Sequence, residues 1–151
     1  MTIDVGATAI WPWLAQLGPG RGGAYTYDWI ENLLGLNMHS ADDIVPEFQN
    51  LSVGDTFTLG NNGPTMRVAI LDPARALVFN STDGHWIWAF ALYPDGNGTR
   101  LVSRNRIAAP AASPPARLFN RLVMEPGSWV MERKMLLGIK QRAEHRASTG
   151  Q

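Results

Sequence analysis

Glu132 is the residue whose pattern best places it to do chemistry. On a helical wheel at ~100° per residue, Met131, Met135, Gly138 and Ile139 form one apolar stripe flanked by Leu136 and Trp129. Arg133, Lys134, Lys140 and Gln141 fall mostly on the other side. Glu132 projects between Leu136 and Ile139, on the edge of the apolar side. A carboxylate there is costly unless it is paired or protonated. Two roles fit it: an acid or base for proton transfer in a cavity, or the ion-pair partner of an arginine such as Arg104 or Arg106. The ion pair is the more economical.

Other candidates lie on strand-like segments. In 100–107, Arg100, Val102, Arg104 and Arg106 share one face, and Leu101, Ser103, Asn105 and Ile107 the other. The second set is expected to point inward. Ser103 and Asn105 would then be polar groups on an apolar wall, able to orient a ligand, or else bonded to backbone or water at a sheet edge. Trp86, Trp88, Phe90 and Leu92 alternate with Ile87, Ala89 and Ala91. The bulky face either lines a cavity or is plain core, and core is the simpler reading. Tyr25, Tyr27, Asp28, Glu31 and Asn32 form a polar-aromatic cluster after the glycine-rich loop 18–23. They could gate or bind a ligand, although helix capping and packing account for them as well. The loop lacks the Gly-Lys-Ser/Thr ending of a P-loop, so a turn between two short helices is favoured. His39, His85 and His145 show no metal-ligand spacing. No metal and no cofactor is expected.

The elements that must position these residues follow from pattern. Residues 2–5 read as a short edge strand. A helix over 10–17 has Thr8 as its N-cap and Pro12 in its first turn. A second short helix spans 25–34, with Gly35 as C-cap and with Tyr27, Ile30 and Leu34 on one side, away from Asp28, Glu31 and Asn32. A long connection leads to Asp55. Strands are expected at 56–59, 65–71, 76–79, 85–92 and 99–107, joined by short turns into an antiparallel meander. After the Ala/Pro-rich segment 108–115 and residues 116–124, a break at Pro126-Gly127 precedes a long helix capped by Ser128. The whole reads as a single α+β domain, a curved antiparallel sheet of six or seven strands wrapped around the C-terminal helix.

Composition bounds the partners. Thirteen basic residues balance thirteen acidic ones, so no net charge draws the chain to nucleic acid or an anionic membrane. There are no cysteines, which removes disulfides and thiolate chemistry and is compatible with a reducing compartment. No signal-peptide pattern and no apolar run of ~18 residues is present. A cytoplasmic protein without membrane insertion is expected. Six tryptophans suggest an aromatic-rich interior or pocket.

Several stretches together carry a resemblance: Trp11-Pro-Trp-Leu-Ala-Gln-Leu-Gly18, the segment 21–32, Pro46-Glu-Phe-Gln49, Val53-Gly-Asp55, Thr99-Arg-Leu-Val-Ser-Arg104 and the segment 131–140. They resemble the SRPBCC superfamily, the START / Bet v 1-like / polyketide-cyclase group with the helix-grip fold, and within it a bacterial branch. The resemblance covers nearly the whole chain. It implies a cavity between the curved sheet and the last helix, where members bind lipids, sterols, hormones or polyketides and some act as cyclases or hydrolases. The residues expected at that cavity are Trp86, Trp88, Phe90, Ser103, Asn105, Met131, Glu132, Met135, Tyr25 and Tyr27. Three readings follow, since fold alone does not select among them. One is a binder of an apolar small molecule (lipid, polyketide or aromatic). Another is a cyclase, dehydratase or hydrolase with Glu132 as acid or base and Ser103 or Asn105 polarising a carbonyl. The third is a protein-interaction module whose interior is filled by its own side chains.

Overall fold

Alternating side chains between Thr56 and Ile107 build one antiparallel meander in the computed structural model, which describes residues 1–33, 35, 38–60, 63–108 and 125–150. Its strands are β2 (Thr56–Thr58), β3 (Thr65–Asp72), β4 (Ala76–Ser81), β5 (Trp86–Asp95) and β6 (Gly98–Ile107). The chain's first strand, β1 (Thr2–Ile3), pairs with the far side of β6, so the sheet runs β1-β6-β5-β4-β3-β2 with open edges at β1 and β2. Two short helices, α1 (Ala7–Ala15) and α2 (Asp28–Leu33), follow β1, and the long α3 (Glu125–Thr149) comes last. This is the expected α+β helix-grip arrangement, with six strands among the described residues.

The core lies between the sheet's inner face and α1 and α3. Met66, Val68, Leu77, Phe79, Phe90, Leu92 and Leu101 meet Met135, Ile139 and Ala143 of α3 and Ile10, Trp13 and Leu14 of α1. Each large side chain so buried contributes roughly 1.5–3 kcal/mol. The N-terminal strand is held from two sides, by Leu101 of β6 and by Lys140 of α3. The Met1 ammonium donates to the Leu101 carbonyl at 2.8 Å, the Leu101 N–H donates to Met1 O at 2.9 Å, and Lys140 Nζ of α3 donates to Thr2 O at 3.0 Å.

Helix boundaries differ from the expectation. α1 starts at Ala7 with Gly6 as its cap, so Thr8 lies inside it and Pro12 falls in the second turn. There Pro12 removes the bond to the Thr8 carbonyl, and full burial of Ile10, Trp13 and Leu14 keeps the helix intact. α3 is already helical at Glu125, so Pro126 occupies its first turn and neither breaks it nor leaves Ser128 as its cap. Of the expected segments 108–115 and 116–124, only Ala108 is among the described residues, and Leu34 also lies outside them.

The glycine-rich loop is a closed turn. Gly18 and Gly23 exchange both backbone hydrogen bonds, at 2.9 and 3.1 Å, while the N–H of Arg21 donates to Gly18 O and that of Gly22 to Gln16 O. Those four donors are therefore occupied within the loop. Gln16, fully buried, fastens the next connection. Its Nε2 donates to Asp43 O at 3.1 Å, and its Oε1 accepts from the Val45 N–H at 3.0 Å and Gln49 Nε2 at 3.2 Å. Gln16→Leu is expected to cost about 2 kcal/mol, because each orphaned partner carries a desolvation penalty of ~1–3 kcal/mol where water cannot replace the bond. A urea midpoint unchanged from wild type would show that solvent satisfies them.

Candidate functional site

A cavity of about 290 Å³ lies between the sheet and α3. Trp86 and Trp88 of β5 and Asn105 of β6 form its sheet wall, and Ser128, Met131, Glu132 and Met135 of α3 form the opposite wall. Ala24, Thr26, Glu31 and Met38 close it from the segment around α2, and Leu59, Gly63 and Pro64 from the β2–β3 hairpin. Buried Ala24, Met38, Leu59 and Met135 make its floor, while exposed Asn105 and Ser128 mark its rim. The Trp86 and Trp88 rings stack at 6.4 Å and 28°, and the Trp86 indole N–H donates to Asn105 Oδ1. A larger depression of about 610 Å³ borders Asp42, Asp43, Gln141, Arg142, His145 and Arg146. Its lining, which also includes Trp13 and Thr149, is more polar than the mainly apolar one that ligand pockets present.

Glu31, named in the polar-aromatic cluster but not among the ten residues expected at the cavity, also lines it. It is 4% exposed, and its Oε2 has no hydrogen-bond partner among the described residues. Burial holds its pKa above the ordinary 4.5; the neighbouring Thr26 hydroxyl opposes that rise and the Asp28 carboxylate reinforces it. Thr26 Oγ1 completes no hydrogen bond either. The carboxyl is thus buried in a residue that lines the cavity.

The reason it points inward is polar. Asp28 accepts from the Ser40 N–H at 2.8 Å and the Ser40 hydroxyl at 2.5 Å. Asn32 both donates to Met38 O at 2.9 Å and accepts from Met38 N at 2.7 Å. These two residues, one turn apart, clamp one side of α2 to the segment 38–40. Trp29 and Leu33 are left outside, 69% and 80% exposed. Glu31 is then the buried residue of the helix, while Tyr27, on the other side, is exposed.

Of the ten residues expected at the cavity, six border it: Trp86, Trp88, Asn105, Met131, Glu132 and Met135. The other four do not. Phe90 pairs with Ser103 across β5 and β6, one inward step beyond the Trp88–Asn105 pair. At that level the interior is packed core, with Phe90 1% exposed and 4.9 Å from Trp88. Ser103 is half-buried there, its hydroxyl without a partner among the described residues. Tyr25 is a structural pillar. Its hydroxyl donates to Trp13 O at 2.9 Å, its ring lies 5.1 Å from the Arg142 guanidinium, and burial keeps its phenol neutral far above the usual range. Tyr27 is half-exposed, with Lys134 Nζ 5.6 Å over its ring.

Glu132 is half-buried at the cavity edge and forms no ion pair among the described residues. The expected pairing with Arg104 or Arg106 fails because both arginines are exposed on the sheet's other face. Among the described residues, no group of His, Cys, Asp or Glu side chains could hold a metal ion, and no helix is long and apolar enough to cross a membrane.

No protein-family model and no curated protein matches the sequence. Solved structures do. The Aha1 dimer from Colwellia psychrerythraea matches at 16% identity and a TM-score of 0.50, over 95% of this chain and 92% of that one. Protein MLL2253 from Mesorhizobium loti matches at 15% identity and 0.51, over 96% and 93%. The Polyketide_cyc-like protein Cgl2372 from Corynebacterium glutamicum matches at 17% identity and 0.42, over 95% and 83%. At such identities the two matches at TM-scores of 0.50 and 0.51 show a likeness of fold alone, and the strand order and the gripped helix agree with it: this chain has the helix-grip fold.

Proposed function

We propose that the protein binds an apolar small molecule, aromatic in part, between the sheet and α3. The observation that carries this reading is the wall of the ≈ 290 Å³ cavity: two stacked tryptophans and three methionines with a few polar groups at defined points. An apolar cavity of ~150 Å³ accepts benzene, so about twice that volume suits a two-ring aromatic or a short branched chain. Methionine suits such a role because its flexible, polarizable side chain adapts to a ligand's shape.

Neutral naphthylethanol is a suitable probe. Calorimetric titration is expected to give saturable binding at one site per chain. Met131→Trp, which fills the cavity from α3, is expected to weaken binding at least tenfold, about 1.4 kcal/mol. Absence of saturable binding to the wild type, or equal binding to a folded Met131→Trp, would overturn the proposal.

A further inference from the structure

We infer that the ligand of this cavity is an organic cation, an aromatic or aliphatic amine, rather than a fatty acid or another anion. The inference rests on the small-molecule reading above and names the chemical class of ligand. Among the described residues that line the cavity, the ionisable ones are Glu31 and Glu132, and there is no lysine, arginine or histidine. Glu31 is 4% exposed among these lining residues, and its Oε2 has no hydrogen-bond partner among the described residues. Lys134, two residues beyond Glu132 on α3, lies over the Tyr27 ring instead, and Arg133 is exposed.

A ligand carboxylate or phosphate would face two acids with no base to offset them. A protonated amine has the opposite fit. It donates to the orphaned Glu31 oxygen, and a buried hydrogen bond between charged groups is among the stronger kinds. The faces of Trp86 and Trp88 add cation–π attraction, strongest for tryptophan. Glu31 Oε2 carries the cost of a buried acceptor with no donor among the described residues. That arrangement persists more readily in a site that a donor fills.

Three probes of one shape separate the cases: naphthylethylamine, naphthylethanol and naphthylacetate, titrated calorimetrically at pH 7. The amine is expected to bind about tenfold or more tighter than the alcohol, and the acetate weaker than both. In a variant carrying both Glu31→Gln and Glu132→Gln, the amine-to-alcohol ratio is expected to fall to about one, with the alcohol serving as the internal control for a folded cavity. If the alcohol binds as tightly as the amine, or the acetate binds best, the cation inference fails while the cavity reading stands. If the double variant binds the alcohol and keeps the amine's advantage, the carboxylates are not its source and the inference fails. If none of the three binds the wild type, both readings fail.

Discussion

Gly138→Val is expected to destabilise the protein by about 3 kcal/mol, the upper end of what overpacking a close-packed site costs. A Cβ at Gly138 would sit 2.5 Å from the Tyr25 carbonyl oxygen and 2.8 Å from the Tyr25 Cβ. Neither can give way easily. Tyr25 is pinned by its hydroxyl bond to Trp13 O at 2.9 Å, by the Arg142 guanidinium over its ring and by an edge-on contact with Trp13 at 6.0 Å. Its backbone is already held at φ +56°, a conformation that non-glycine residues adopt only under constraint. α3 would therefore have to lift, carrying Met135 and the cavity wall with it. At ~2–4 °C per kcal/mol for a chain of this size, the melting temperature should fall by roughly 6–12 °C. A change of a degree or two would mean that α3 does not seat on Tyr25.

The second large effect has the opposite sign. Glu31→Leu is expected to stabilise the fold at pH 7 by about 1–3 kcal/mol, because it removes a buried acceptor without a partner and adds apolar area. The pH dependence follows from the same burial. The folded pKa of Glu31 lies above its ordinary 4.5, so the folded state binds the proton more tightly than the unfolded state does. Below the unfolded value both states are protonated and ionisation contributes nothing. As pH rises from about 4.5 through the folded pKa, the unfolded carboxyl ionises first and wild-type stability is progressively lost. The advantage of Glu31→Leu should accordingly be larger at pH 7 than at pH 4, in urea melts at each pH. An advantage that stays flat or grows toward acid would mean that Glu31 is satisfied in the fold. Stabilisation together with lost amine binding is the pattern of a site held at the expense of stability.

The layout of the site was legible where periodicity governs. The 3.6-residue stripe of Met131, Met135, Gly138 and Ile139 does turn into the protein, Met131 and Met135 at the cavity, Gly138 against Tyr25 and Ile139 in the core, and the two-residue alternation of Trp86, Trp88 and Asn105 does set which side chains face inward. Alternation alone could not say where along the sheet the wall ends, because the step from Trp88–Asn105 to Phe90–Ser103 depends on how α3 crosses it. Glu31 stands in the polar-aromatic cluster, but its burial was not legible, for a different reason. The orientation of α2 is set by side-chain bonds from Asp28 and Asn32 to residues 12 and 6 positions away, and a six-residue helix is too short for its apolar pattern to overrule them. Tyr25 was misplaced because it precedes α2, which begins at Asp28, and its positive φ bends the chain there. A glycine run followed by an aromatic residue signals such a bend only weakly.

The most direct test of ligand binding at this cavity is methyl-methionine NMR during titration with naphthylethanol. Met38, Met131 and Met135 border the cavity, whereas Met66 is packed in the core and Met1 lies at β1. Saturable shifts of the Met38, Met131 and Met135 methyls, with those of Met1 and Met66 unmoved, are the predicted result. Shifts centred on Met1 or Met66, or no saturable shift at the three cavity methionines, would contradict it.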